Sequence, residues 1–148
     1  MKLLQSKGER IFYLIYITLM LVSYLGYVAL DNYRVTTRGS GSITGEEAQS
    51  IAQIGMWTSN VELIFIVLFV IVMIVMYLRA FKKKEVIKLF IIMNSVLFAG
   101  IIVLSFILLL VTSLPIGNLL QPLFFPVFLL VILLPFVKLM NKKKEQSF

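Results

Sequence analysis

Residues able to do chemistry are sparse in this sequence, and they lie in unusual company. Glu62 stands at the edge of a long apolar run, Asn94 lies inside another, and Ser105 follows eleven residues later on the same helical face as Asn94. Tyr13, Tyr16, Tyr24 and Tyr27 share a stripe with Met20 and Ser23, all within about 100° of a wheel at 3.6 residues per turn. A carboxylate such as Glu62 could bind a cation, relay a proton or pair with an arginine, or simply sit hydrated at headgroup level. Asn94 and Ser105 could line a pore or hold a ligand. The plainer use of an amide in lipid is a hydrogen bond to a neighbouring helix, worth about 1 kcal/mol. The four tyrosine hydroxyls want partners if buried, which makes the stripe a candidate face for a partner helix, a lipid headgroup or an amphiphilic ligand such as a quinone. The same residues also suit two interfacial belts, one near each membrane surface.

What is missing narrows the chemistry further. The 148 residues contain neither histidine nor cysteine. Disulfides, thiolate or imidazole metal ligands, iron–sulfur clusters and nucleophilic Cys or Ser–His catalysis are therefore excluded. No cofactor and no metal site are expected. No second carboxylate or lysine stands at mid-membrane depth beside Glu62, which counts against proton- or sodium-coupled transport. An enzyme would need Glu62 to converge with Asp31, Glu46 or Glu47 at one surface.

These residues are carried by four apolar runs, 11–30, 57–78, 89–111 and 119–137. A hydrocarbon core about 30 Å thick needs about 20 helical residues. Hydrophobic residues make up 60% of the chain and charged residues 14%, more apolar surface than a small soluble fold could hide. Backbone groups in lipid must be satisfied internally, and continuous rather than alternating apolarity excludes barrel strands. The expected fold is all-α, a single membrane domain (1–148) that is a four-transmembrane-helix bundle. The first run exceeds the 7–15 apolar residues of a signal peptide and lacks a small-x-small cleavage pattern, so it reads as a retained helix.

Charge orients the bundle. Lys2, Lys7 and Arg10 precede the first run, Arg79, Lys82, Lys83, Lys84 and Lys88 separate the second and third, and Lys138, Lys142, Lys143 and Lys144 follow the fourth. Only Arg34 and Arg38 fall on the other side. The positive-inside rule then places the N-terminus, the C-terminus and the 79–88 segment in the cytoplasm. Arg79 and Lys82–Lys84 could also contact anionic lipid, although topogenesis explains them without a ligand. The net charge of +7 follows this placement and forms no separate basic domain, so no nucleic-acid partner is expected.

The extracytoplasmic loop spans 31–56 and contains the glycine- and serine-rich stretch RGSGSITG. Thr44-Gly45-Glu46-Glu47 has the form of a capping box, which predicts that the second helix starts near Gly45, outside the bilayer. Pro122 and Pro126 are expected to bend the fourth helix, as a gating kink or as tolerated breaks. Ser95, Ala99 and Gly100 offer small residues for close helix approach.

Together these features predict a non-enzymatic multi-pass protein of the cell (inner) membrane. It would act as an accessory, stabilising or protective (immunity-like) partner of another membrane component, contacting membrane lipids and other membrane subunits or itself. The alternative is a self-associating pore with Asn94 and Ser105 facing a lumen. A lysine-rich composition without an Asn-x-Ser/Thr site suits a bacterial source.

Overall fold

In the computed structural model, the apolar runs become long helices whose polar ends are tied to one another. The structure describes residues 7–38, 44–80 and 85–145, except for the side chains of residue 134 and of 136–145. Helix α1 spans Lys7–Arg38, α2 Gly45–Ala80 and α3 Glu85–Leu109. A short α4, Ile116–Leu120, leads through a 3-10 turn, Gln121–Leu123, into α5, Phe124–Glu145. Four of these helical tracks are long and apolar enough to cross a membrane, the fourth built from α4, the turn and α5. Lys82, Lys83 and Lys84, and most of the glycine-rich stretch after Arg38, lie outside the described residues.

The segment read as a loop is largely helix. Helix α1 does not stop at residue 30 but continues through Asp31 to Arg38. The first helical turn of α2 is closed as the sequence predicts: the Thr44 N–H donates to Glu47 Oε2 at 2.8 Å, and the Glu47 N–H donates to Thr44 Oγ1 at 3.4 Å. This reciprocal pair satisfies backbone donors that the first turn leaves orphaned. At 1.5 Å per residue, α2 carries about 18 Å of helix ahead of Trp57, and α1 about 12 Å beyond Leu30. The two extensions form an arm that continues past the apolar spans.

Helices α1 and α2 run antiparallel and share the most extensive helix contact in the molecule. Tyr13 meets Met76, Gly26 lies against Val61 and Arg34 crosses Gly55, so each step forward on α1 is a step back on α2. Phe65 and Phe69 of α2 pack on Phe90 and Phe98 of α3, with ring centroids 5.7–6.5 Å apart. Leu119 and Leu123 complete this core from the fourth track. The opposite faces, including Leu14, Leu25, Val67 and Val103, are exposed and suit lipid contact.

The prolines of the fourth track divide unequally. Pro122 sits in the 3-10 turn, where the helix breaks. Pro126 lies two residues into α5, directly after the 3-10 turn. Of the two prolines, Pro122 is the one that coincides with a break in the helix.

Candidate functional site

The tyrosine stripe points inward. Tyr13, Tyr16, Met20, Tyr24 and Tyr27 are all buried, none more than 4% exposed, and Ser23 is half-buried at the margin. Helices α1 and α3 approach at few points along their backbones, and a tyrosine is long enough to bridge the gap. Tyr16 Oη donates to Asn94 Oδ1 at 2.6 Å, while Asn94 Nδ2 donates to the Phe90 carbonyl at 2.9 Å. Higher in the bundle, Tyr24 and Ser105 hydroxyls lie 2.7 Å apart. Ser105 already directs its hydroxyl to the Ile101 carbonyl at 2.8 Å, so Tyr24 is the donor to Ser105. Tyr27 Oη donates to the Asn118 carbonyl at 3.0 Å. Tyr13 finds only the Met76 sulfur, at 3.7 Å.

The stripe ends on a residue that the sequence reading placed in the loop. Asp31 is fully buried one turn beyond Tyr27, ion-paired with Arg34 on the next turn. Asn118 Nδ2 donates to Asp31 Oδ2 at 2.9 Å, and the Ser113 N–H donates to Asn32 Oδ1 at 2.8 Å. Gln121 Nε2 donates to both Glu62 oxygens, at 2.9 and 3.2 Å. α1 therefore grips the connection between α3 and α4, and α2 grips the 3-10 turn. The signal for Asp31 was present: positions 27 and 31 are four apart, and Asp31 with Arg34 has the spacing of a helical ion pair.

No known relative guides the reading. Comparison with protein-family models, with curated proteins and with solved structures finds no match. Function has to come from this geometry.

Several expectations are changed by it. A docking face for a separate partner needs an accessible stripe, whereas Tyr13, Tyr16, Met20, Tyr24 and Tyr27 are consumed by contacts within the chain. The interfacial-belt alternative fails for the same reason. A lumen lined by Asn94 and Ser105 needs them open, and both are fully buried and hydrogen-bonded to tyrosines. Of the carboxylates proposed for an enzyme, Asp31 and Glu62 both lie near Tyr27, Asp31 engaged by Arg34 and Asn118 and Glu62 by Gln121, while Glu46 and Glu47 lie about 24 Å up α2 from Glu62 at 1.5 Å per residue. Among the described residues, no cluster of three or more acidic side chains could hold a metal ion.

A smaller reading also changes. Ser95 and Ala99 do not meet a close helix; with Phe98, Val127 and Leu130 they line an open apolar groove of about 240 Å³ between α3 and α5. A Cβ on Gly100 would meet nothing within 4 Å, so that glycine faces open space as well. At the basic end, Arg79 is exposed and borders a small space of about 30 Å³ with Glu9 and Tyr13, a position compatible with lipid contact.

Proposed function

We propose that this chain is a non-enzymatic membrane protein that serves as an accessory, stabilising or protective partner of another membrane component. Its place is the cell membrane, with the basic end in the cytoplasm and the α1–α2 arm outside. The observation that carries this reading is the arm. The polar side chains of the stripe are spent on one another among the described residues, which supports a role outside catalysis and conduction, while the arm continues two spans as helix beyond their apolar segments. It carries exposed Tyr33 and Met56, apolar or amphipathic side chains of the kind that anchor interfaces. Within a single chain, the arm adds exposed surface and little core, which suits a segment kept for contact.

Photo-crosslinkers at positions 33 and 14 of the full chain, expressed in its native membrane, test the reading. One defined adduct to another membrane protein, formed from position 33 and not from lipid-facing position 14, is the expected result. Ion flux from purified protein in liposomes, with no heterologous adduct from the arm, would favour the pore instead and sink the accessory role.

A further inference from the structure

The two basic residues at the arm end of the molecule meet in one cleft. Arg34 and Arg38 are the only lysines or arginines away from the basic end, and they lie four apart on α1. Both line a cleft of about 340 Å³ between the helices of the arm, whose other wall is Ala48, Ile51, Ala52 and Gly55 of α2. Those residues recur at three- and four-residue steps and are mostly small, so the space exists because side chains there are short. A Cβ on Gly55 would meet Arg34 Cδ and a guanidinium nitrogen at 3.8 Å, which shows how closely the Arg34 stem lies over the cleft floor. Among the described residues, no acidic one lines the cleft. Arg34 is held in place by Asp31, while Arg38 makes no ion pair among the described residues and is exposed.

Depth decides what such a cleft would meet. The apolar run of α1 ends at Leu30, so Arg34 lies about 6 Å and Arg38 about 12 Å farther along the axis. The polar layer outside each face of a 30 Å hydrocarbon core is about 5–8 Å deep. Trp57, the chain's single tryptophan, is two residues from Gly55 and marks the same interface. Arg34 therefore stands at the level of lipid phosphates, with Arg38 just above it and an apolar wall beside both. We infer that this cleft binds the phosphate of an anionic phospholipid, with Arg38 as the exposed cation and Arg34 as the positioned one. The site lies at the end opposite the polybasic segment and does not depend on the identity of any protein partner.

Trp57 supplies the readout. The full chain in nanodiscs is titrated with phosphatidylglycerol brominated high on its acyl chains, and separately with phosphatidylcholine brominated at the same positions. An arginine at the surface favours an anionic lipid by about fivefold. Phosphatidylglycerol is therefore expected to quench Trp57 at about one-fifth the mole fraction that phosphatidylcholine needs. Arg38→Gln should abolish that preference, Arg38→Lys should retain most of it, and Ala52→Met should reduce it by filling the cleft without altering charge. Equal quenching by the two lipids, or a preference that survives Arg38→Gln, overturns the site and leaves Arg38 as a cation at the end of α1. Displacement of the quenching by soluble glycerol phosphate would overturn the lipid assignment and make a water-borne phosphate the ligand.

Discussion

Where α1 leaves the bundle, Tyr27, Asp31 and Asn32 tie it to Ser113 and Asn118, and Glu62 ties α2 to Gln121. Where α1 enters, the cross-helix bond of its stripe is a tyrosine hydroxyl resting on the Met76 sulfur, beside the small space that Glu9 and Arg79 border. In sequence, this second end lies beside most of the chain's basic residues. The count of charges therefore does not say which end of the stripe finds the stronger acceptors. Lysines beside apolar spans set orientation against the membrane. A few short polar side chains placed opposite one another hold segments together, and they gather where the connection between α3 and α4 is irregular and its backbone needs partners.

The contrast can be broken most forcefully at Arg34. Arg34→Gln leaves the Asp31 carboxylate buried without its counter-charge, and stability in detergent or bicelles should fall by about 2–3 kcal/mol. That is below the loss for a fully buried pair, because the guanidinium is 38% exposed and partly screened by water. Asp31→Asn, which strands only the more exposed partner, should cost less. Equal losses for the two variants would show that the pair is not asymmetric in the way its burial implies.

Next comes the middle of the stripe. Tyr16→Phe should cost about 1 kcal/mol, within the range of hydrogen bonds between membrane helices, because it leaves Asn94 Oδ1 without its partner. Adding Asn94→Leu should recover part of that loss. A strictly additive double-mutant cycle would deny the coupling.

The arm should respond locally. Thr44→Ala is expected to loosen the first turns of α2 by about 0.5–1 kcal/mol, seen as faster amide exchange over residues 45–50 with the spans unchanged. The Thr44 backbone N–H, and then its hydroxyl, hold the Glu47 carboxylate below its ordinary range. Since the shift is downward, this contribution is complete at neutral pH and disappears as pH falls through the folded-state value. Protection over residues 45–50 in the wild type, after correction for the intrinsic pH dependence of exchange, should therefore weaken under acid conditions. The smallest effect belongs to the basic end: Tyr13→Phe removes a bond to a weak sulfur acceptor and should shift stability by only a few tenths of a kcal/mol. A loss matching that of Tyr16→Phe would erase the difference between a sulfur and an amide acceptor on the stripe.

The same contrast explains what the sequence made legible. On α1 the inner face stood out because tyrosines interrupt aliphatic residues at helical spacing. The direction in which the stripe points did not, since the same spacing serves a face turned outward. Its continuation to Asp31 was hidden by the assumption that a charge ends a span, whereas Asp31, buried four residues beyond Tyr27 and paired with half-buried Arg34, keeps the helix going. On α2, Phe65 and Phe69 face the core while Ile64 and Val67 face outward. Lipid is as apolar as a packed interior, so hydropathy cannot separate the two sides. The Thr44–Glu47 cap was readable because its chemistry is local. Partners such as Asn118 for Asp31, or Gln121 for Glu62, were not, because they depend on where the Pro122 break places the fourth track.

One consequence of the continuous α1–α2 hairpin is mechanical. A helix pair whose apolar length exceeds the surrounding hydrocarbon thickness relieves the mismatch by tilting. With no joint between span and arm, that rotation reaches the tip unreduced. A tilt of about 10° about the exit point would sweep an 18 Å lever through about 3 Å, close to the width of a hydrogen bond. Whatever is gripped at the far end would thereby register the thickness of the bilayer in which the near end is embedded.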